Sequence, residues 1–397
     1  SSVFLRFLED PPAIPILGPR HDEAFQYTQH VIVCCSVCLS TSTRPRNSFD
    51  VDGVCSACQW AKEKETLDWD ARSAELDVLL DKAKAETKSG YDCVVPVSGG
   101  KDGSYVAYKL KHEKGMNPLC VTITPPTPTS LGRKNLEAFM ASGFDLLSFD
   151  IGPEKLRILN LAGLEEMGFP YYGWLVAIQA LPLRIASSMG IPLVVYGEDG
   201  EVEYGGDPEN KHRAVYTADY MKRVYLEGGY AAVLEKSGMS PEELTPFQFP
   251  EDDQLSNVSI THWSYFENWD SYRNYLVAKE KCGLLDAEKT NEGTFTNFAQ
   301  NDQEIYALHT YLMYLKFGFG RANQDACIEI RRGALTREQG LNLVRIYDGK
   351  LADGALEQFA DYYQIGVSRL RKIIGRWVNN ELFEEYEGSW RPMFELR

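Results

Sequence analysis

The sequence has 397 residues, more than the ~250–300 residues at which one hydrophobic core stops growing, so more than one domain is predicted. Its 44% hydrophobic and 25% charged residues are typical of a folded globular protein. The formal net charge of −16 argues against a protein whose main task is binding nucleic acid, because contacts to phosphates need a basic surface.

Neither an export signal nor a membrane segment is predicted. Residues 1–20 lack the charged region and following apolar region of a secretory signal. The longest apolar stretch, residues 171–196, is interrupted by Gln179, Pro182 and Arg184, so we interpret it as a buried helix and a strand. We therefore expect a cytoplasmic protein without a membrane segment.

In chain order, the predicted elements divide the sequence into four parts. Residues 1–30 are an irregular, proline-containing segment, and residues 31–65 contain two pairs of cysteines. Residues 66–240 alternate short apolar strands with helices, which predicts an α/β fold with a doubly wound parallel sheet. Prolines and acidic residues predict a linker at 241–260, and the part 241–397 is predicted to be a mainly helical region that contributes to the substrate site.

Four cysteines follow the pattern C-x2-C-x16-C-x2-C. They are Cys35, Cys38, Cys55 and Cys58. This spacing is typical of a zinc ribbon, in which four thiolates hold a structural Zn²⁺ and leave no ligand position for water. An iron–sulfur cluster and four reduced, unliganded cysteines are the alternatives. Cys34 is interpreted as a non-ligand, because only Cys35 has the two-residue gap to Cys38.

A glycine-rich loop at residues 98–104 follows the first predicted strand and precedes a helix. Glycines let the backbone approach phosphates closely, and the N-terminus of the following helix attracts anions. A Walker A loop is excluded, because Val95 and Asp102 stand where that motif needs a glycine and a Ser/Thr. An ordinary turn between strand and helix is the alternative interpretation.

The loop resembles the SGGxDS loop of the PP-loop ATP pyrophosphatases, which split ATP into AMP and pyrophosphate. Gly103 departs from that pattern, since the family usually has Ser or Thr there and Ser104 follows one place later. The resemblance implies that the loop holds the pyrophosphate end of ATP, with Mg²⁺ held in part by Asp102. The predicted cofactor-binding residues are Ser98, Gly99, Gly100, Lys101, Asp102, Ser104 and Thr122.

Further segments, together with the cysteine pairs, resemble the N-acetyl sugar amidotransferases of bacterial surface-polysaccharide and flagellin-sugar synthesis. The resemblance spans roughly residues 33–350. The segments that carry it are 38–45, 52–55, 96–104, 196–198, 203–206, 292–297 and 316–321.

This resemblance implies an ATP-dependent reaction on a sugar. The carbonyl oxygen of an acetamido group attacks the α-phosphate of ATP and releases pyrophosphate, and ammonia then displaces AMP to leave an acetamidino group. The implied substrate is a nucleotide-linked acetamido uronic acid, and a free aminouronic acid remains an alternative. A carboxylate acceptor that yields a simple amide is also possible. Because the family usually takes ammonia from separate glutaminase and channel-forming subunits, such a partner is predicted.

The predicted catalytic residues are Lys101, Asp102, Glu198, Lys316 and Arg321. Glu198, with Asp199 beside it, is expected to contact a metal, a ribose or ammonia, or else to lie in a solvated loop. Lys316 and Arg321 are expected to bind a phosphate or the acidic group of the sugar, or else to be surface charges at a helix end. A polar stretch is also expected to line the sugar pocket, and it contains Thr296, Asn297 and Asp302.

Two other functions remain as alternatives. The first is a tRNA-thiolating PP-loop enzyme, although such enzymes need catalytic cysteines and a basic surface. The second is DNA binding, because residues 363–369 have the rhythm of a helix-turn-helix and basic residues follow. A plain corner between two helices, with Ile365, Leu370 and Ile373 in the core, produces the same rhythm.

Overall fold

The computed structural model describes residues 32–396, so the predicted irregular segment at residues 1–30 lies outside the described residues. The strands of the main sheet are β1 Cys93–Pro96, β2 Pro118–Ile123, β3 Asp145–Phe149, β4 Leu193–Tyr196 and β5 Ser259–His262. A C-terminal hairpin consists of β6 Phe383–Tyr386 and β7 Ser389–Pro392.

The helices of the N-terminal half are α1 Ser56–Lys64, α2 Trp69–Glu86, α3 Lys101–Tyr108, α4 Ser130–Ala141, α5 Pro153–Met167, α6 Tyr172–Met189, α7 Gly200–Tyr204, α8 Ala218–Tyr220 and α9 Tyr230–Ser237. Those that follow are α10 Trp263–Phe266, α11 Ser271–Cys282, α12 Tyr306–Phe317, α13 Arg321–Arg331, α14 Arg337–Tyr347, α15 Ala355–Tyr363 and α16 Val367–Trp377. Within residues 32–396, no helix combines the length and apolarity that crossing a membrane requires.

The main sheet has five parallel strands in the order β3-β2-β1-β4-β5, which confirms the predicted parallel α/β sheet. The order reverses at β1, which pairs with β2 on one side and with β4 on the other. In open α/β sheets, ligands bind beyond the carboxyl ends of the strands at such a reversal. The sheet therefore places the ends of β1 and β4 at the position where a ligand is expected.

Successive residues of the strands supply two cores, one on each face of the sheet. Val94 of β1 packs with residues of α5, α6 and α12, whereas its neighbours Cys93 and Val95 pack with residues of α2 and α3. This alternation follows from the two-residue period of a strand. Both faces are covered, as is typical of parallel sheets.

The edge strand β5 lies beyond the predicted boundary at residue 240 and inside the predicted linker at 241–260. Ser259–His262 is short and mostly polar, so it carries no strand pattern, yet Thr261 and His262 are buried and Ile260 pairs with Val194 of β4. Pairing with β4 therefore creates this strand, and the α/β sheet uses residues from both sides of the predicted boundary.

The segment that suggested a helix-turn-helix forms a corner between α15 and α16. Gln364 ends α15 with a φ of 55°, and Leu370 and Ile373 are buried in the core, while Ile365 is partly buried against it. An exposed ion pair links Arg369 to Glu165 on α5, with 2.8 Å between Nη2 and Oε1. These contacts support the interpretation as a helix corner.

A pair of helical glycines tests how tightly α5 packs on α6. A Cβ at Gly163 would lie 2.1 Å from Cβ of Tyr172, whereas at Gly375 in α16 the nearest atom would be 3.9 Å away. We expect Gly163→Ala to lower the free energy of unfolding by about 1–3 kcal/mol through overpacking. The matched control Gly375→Ala should raise it by up to ~1 kcal/mol through helix propensity. Urea unfolding measures both, and equal effects of the two variants would contradict the packing.

Candidate active site and metal centre

The glycine loop connects the carboxyl end of β1 to the first turn of α3. Gly100 precedes the helix with a φ of −79° and no side chain caps the first turn, so the first N–H groups of α3 lack intrahelical acceptors. Gly99 has a φ of 78°, and a Cβ there would lie 2.6 Å from the backbone nitrogen of Leu136. The loop thus packs closely against α4 and leads into a helix N-terminus, the part of a helix that attracts anions.

Close packing explains why a glycine occupies position 103. A Cβ at this position would lie 2.8 Å from the carbonyl oxygen of Pro96 and 3.1 Å from Cα of Val97. Ser104 lies further into α3 and is buried, and its hydroxyl has no hydrogen-bond partner within residues 32–396.

A polar cavity of about 290 Å³ lies at the reversal of the strand order, against the glycine loop. Residues 296 and 298–302 and the first turns of α13 also line the cavity. The predicted site residues that line this cavity are Ser98, Gly99, Gly100, Lys101, Asp102, Glu198, Thr296, Asp302 and Arg321. Those that do not are Ser104, Thr122, Asp199, Asn297 and Lys316.

Lys101 and Asp102 form an ion pair at the N-terminus of α3. The Lys101 side chain is buried, and Oδ1 of Asp102 is a buried oxygen without a hydrogen-bond partner within the described residues. A buried carboxylate oxygen that lacks a partner is costly. Asp102 therefore has an oxygen available for a cation or a ligand in the cavity.

Glu198 follows β4 and faces the same cavity. Its Oε2 accepts a hydrogen bond from Nε1 of Trp269 at 2.7 Å and another from the hydroxyl of Tyr204. Burial raises the pKa of the Glu198 carboxyl, the nearby Asp102 raises it further, and Lys101 opposes the shift. The Glu198 carboxyl therefore binds a proton more readily than an ordinary glutamate does.

Arg321 lines the cavity from the start of α13. Its Nε donates to Oδ1 of Asp325 at 2.7 Å, one helical turn further on. The hydroxyls of Thr294 and Thr296 donate to Oδ2 of the same carboxylate at 2.6 and 3.0 Å. These bonds hold the guanidinium in place at the cavity wall.

The loop over the cavity includes Asp302, whose carboxyl faces the hydroxyl of Tyr306. The Tyr306 hydroxyl donates to Oδ2 of Asp302 at 3.3 Å. Burial raises the pKa of Asp302 to about 6. Tyr306 itself lines the cavity and was not identified from the sequence.

Lys316 lies elsewhere in the fold. Its Nζ donates to the carbonyl oxygen of Met167 at 3.0 Å, at the end of α5, and lies 5.0 Å from the ring centre of Trp377. Burial lowers its pKa to about 8. The structure thus contradicts both a surface charge and a place at the cavity, and Lys316 serves as a cation at a helix C-terminus.

Thr122 and Asp199 are also buried away from the cavity. Thr122 is an interior residue of β2, opposite Ser148 of β3. Asp199 caps α7, because its Oδ1 accepts from the backbone nitrogens of Glu201 and Val202 at 3.0 and 3.3 Å. Burial raises the pKa of Asp199 to about 7. Asp199 therefore orients the helix that follows Glu198.

The four predicted metal ligands form one buried cluster, in which all sulfurs lie within 4.8 Å of one another. The sulfurs of Cys35 and Cys58 are 3.9 Å apart, and those of Cys38 and Cys55 are 3.7 Å apart. Four sulfurs at ~2.3 Å from a tetrahedral Zn²⁺ would be ~3.8 Å apart. The cluster therefore fits the predicted zinc ribbon. Among the described residues, no cysteine lines the cavity.

Sequence reasoning missed several residues that shape the cavity. Asp325 was detectable, because Arg321 and Asp325 have the spacing of an ion pair on one helix. Tyr204 lay in a segment that the resemblance singled out, but nothing in its spacing indicated the bond to Glu198. Trp269 follows β5, so its position depends on a strand that the sequence did not indicate.

Residues 292–397 match the sequence model of a family described as LPS biosynthesis protein WbpG-like, C-terminal domain. The match includes α13 with Arg321 and Asp325, and it is consistent with an enzyme of polysaccharide biosynthesis. A comparison with curated proteins found no match.

The cysteine cluster predicts one Zn²⁺ per chain. Cys58→Ser should lower the zinc content and the melting temperature, because the thiolates bind the metal only in the folded ribbon. Cys34→Ser is the matched control and should keep one zinc. Elemental analysis by mass spectrometry and thermal unfolding measure these effects. Iron in place of zinc, or equal loss in both variants, would contradict the assignment.

Asp199 predicts a pH-dependent stability. Its pKa of about 7 lies above the ~3.9 of an unfolded Asp, so the native state holds the extra proton between these values. The contribution of Asp199 to the free energy of unfolding is therefore fully present below pH ~4, and it is lost as the pH rises to about 7. Asp199→Asn keeps Oδ1 as the cap but cannot ionise. The variant should therefore gain stability relative to the wild type between those two pH values, by up to about 1.4 kcal/mol for each pH unit. A pH-independent difference in urea unfolding would contradict this.

Proposed function

We propose that the protein is an ATP-dependent amidotransferase that converts the acetamido group of a sugar into an acetamidino group and releases AMP and pyrophosphate. One observation carries the proposal. The glycine loop after β1, Glu198 after β4 and Arg321 of α13 line a single cavity at the reversal of the strand order. This arrangement supplies an anion-binding loop, a proton-exchanging carboxyl and a fixed cation around one reacting centre.

Within this proposal, residues 98–102 hold the pyrophosphate end of ATP in a loop of the PP-loop type. The first N–H groups of α3 and the ammonium group of Lys101 bind phosphate oxygens. Asp102 fits Mg²⁺, because its Oδ1 is a hard oxygen donor without a hydrogen bond in the described residues. Mg²⁺ supplies charge neutralisation on the phosphates when it is bound.

The chemistry proceeds in two displacements. The acetamido oxygen forms a bond to the α-phosphorus of ATP, and the bond from that phosphorus to the bridging oxygen breaks, so that pyrophosphate leaves. Ammonia then forms a bond to the activated carbon, and the carbon–oxygen bond breaks, so that AMP leaves with the former carbonyl oxygen. Glu198 accepts a proton from the attacking nitrogen, a role that its raised pKa supports.

Arg321 is proposed to bind an anionic group of the sugar. The guanidinium lines the same cavity as the glycine loop, and its bond to Asp325 holds it in place. A nucleotide-linked acetamido uronic acid suits this position. The family match at residues 292–397, with its description as an LPS biosynthesis protein, supports a sugar substrate.

The ammonia source is proposed to be a separate glutaminase with a channel-forming subunit, as the resemblance implies. The proposed location is the cytoplasm, where ATP and nucleotide-linked sugars occur. A tRNA-thiolating activity is less favoured, since no cysteine among the described residues lines the cavity. The burial of Leu370 and Ile373 in the helix corner likewise favours a structural role over DNA binding.

Mass spectrometry tests the reaction directly. The protein is incubated with ATP, Mg²⁺, ammonium and a panel of acetamido sugars, with nucleotide and sugar followed together. We expect AMP and pyrophosphate only when sugar and ammonium are both present, with one sugar oxygen replaced by NH. Cleavage of ATP that instead requires tRNA and a sulfur donor would contradict the proposal.

Two adjacent glycines test the phosphate loop. Gly99 has a positive φ, and the Cβ of Gly99→Ala would lie 2.6 Å from the backbone nitrogen of Leu136. The loop must therefore move in this variant. At Gly100 the nearest atom to a Cβ is the Ser98 hydroxyl at 3.3 Å, and φ is negative. We expect kcat/KM for ATP to fall by ~100-fold or more in Gly99→Ala, because small misplacements are costly. In Gly100→Ala, kcat/KM for ATP should fall by less than ~10-fold. Equal falls in the two variants would contradict the loop assignment.

A further inference from the structure

The ribbon contacts the helix that follows Glu198. Glu203 of α7 is buried, and its carboxylate accepts from Nε1 of Trp60 at 2.9 Å and from Nζ of Lys64 at 2.7 Å. Both donors belong to α1, the helix that carries the last cysteine of the cluster. This buried ion pair fixes the side of α7 that faces the ribbon, and removal of one partner would leave a buried charge.

The residue after α7 packs directly on the same ribbon helix. Gly205 has a φ of 83°, and its carbonyl oxygen accepts from the Ser56 hydroxyl at 3.1 Å. A Cβ at this position would lie 2.9 Å from the backbone nitrogen of Ala57. No side chain fits between the two backbones, so α7 and α1 have little freedom to move apart.

A guanidinium of the ribbon holds the other end of α7. Nε and Nη2 of Arg46 donate to the two carboxylate oxygens of Glu201, each at 2.8 Å. Nη1 of the same Arg46 donates to Glu227 at 2.8 Å. Such bidentate pairs fix orientation as well as charge.

Another residue of α7 reaches the cavity. Tyr204 lies between Glu203 and Gly205 in sequence, lines the cavity, and donates its hydroxyl hydrogen bond to Glu198. The same short helix therefore contacts the ribbon and donates the hydrogen bond that orients the Glu198 carboxyl.

The ribbon also contacts α13, which carries Arg321. The amide of Asn323 donates to the carbonyl oxygen of Leu39 at 3.0 Å, and Nη1 of Arg331 lies 3.8 Å from the sulfur of Cys38. Gln324 lines the cavity from the same helix. The ribbon thus contacts both α7 and α13, and each of these helices contributes residues to the lining of the cavity.

We propose that the cysteine ribbon positions the catalytic site, acting through Glu203 and Tyr204 on the Glu198 carboxyl and through Asn323 on α13. Glu203, Tyr204 and Asn323 are positioning residues. The kinetic consequence rests on the proposed function, whereas the structural coupling does not.

Hydrogen exchange of the full chain tests the coupling without any activity assay. A zinc chelator is added, and exchange is followed by mass spectrometry at the ribbon, at residues 198–206, at residues 321–331 and, as an internal reference, at residues 118–149. We expect faster exchange at the ribbon and at both flanking segments, with the reference unchanged. Exchange that rises at the ribbon alone, or equally throughout the chain, would overturn the proposal.

A matched pair of variants tests the consequence for catalysis. Glu203→Gln keeps an acceptor for Trp60 and removes the ion pair with Lys64, while Glu209→Gln removes an exposed pair with Arg213 and Arg223. We expect kcat to fall about tenfold in Glu203→Gln. KM for ATP should stay within about twofold of the wild type, because the hydrogen bonds of Glu203 go to Trp60 and Lys64 and not to the glycine loop. Glu209→Gln should match the wild type.

A double-variant cycle identifies the route. If Glu203 acts through Tyr204, the two substitutions should not add. The fall in kcat of Glu203→Gln/Tyr204→Phe should then exceed that of the worse single variant by no more than about twofold. Falls in kcat that multiply in the double variant, or a change in KM alone, would overturn the route through Tyr204. If no acetamido sugar supports turnover in the wild type, the proposed function fails, and the exchange experiment still decides the coupling.

Discussion

The candidate site depends on the parallel pairing of β1 with β4. Val94 lies opposite Val194, so two segments far apart in sequence end at the same edge of the sheet. The glycine loop follows one strand and Glu198 follows the other, and the reversal of strand order leaves a crevice between them. Glycines allow the loop to pack tightly at this crevice, because a side chain at Gly99 or Gly103 would collide with backbone atoms.

Buried charge explains how the rest of the chain supports that crevice. Glu198 and Asp102 are acidic groups near each other in a poorly solvated site, which raises the pKa of Glu198. Donors from Tyr204 and Trp269 hold the carboxyl in one orientation. Tyr204 belongs to a helix of five residues that has little stability of its own, and the ribbon supplies the contacts that hold it. The ribbon and the sheet therefore form one functional unit.

How much could be predicted from sequence follows from how local each signal is. The cysteine pairs and the loop at residues 98–104 are recognised from short spacings in the sequence. The structure brings the four cysteines together and places residues of the loop at the cavity. The strand β5 was missed, because pairing with β4, and not its own polar residues, makes it a strand. Lys316 looked like a site residue because of its charge, yet its side chain caps α5 in the core. Tyr204 and Trp269 needed tertiary contacts that no spacing encodes.

The central claim is that the acetamido oxygen attacks the α-phosphorus of ATP. A sugar labelled with ¹⁸O in its acetamido carbonyl tests this most directly, with ammonium, ATP and Mg²⁺ present. We expect the AMP produced to carry the ¹⁸O, and the pyrophosphate to carry none. Label that appears in pyrophosphate or inorganic phosphate, or that stays on the sugar while AMP forms, would contradict activation of the carbonyl as an adenylate.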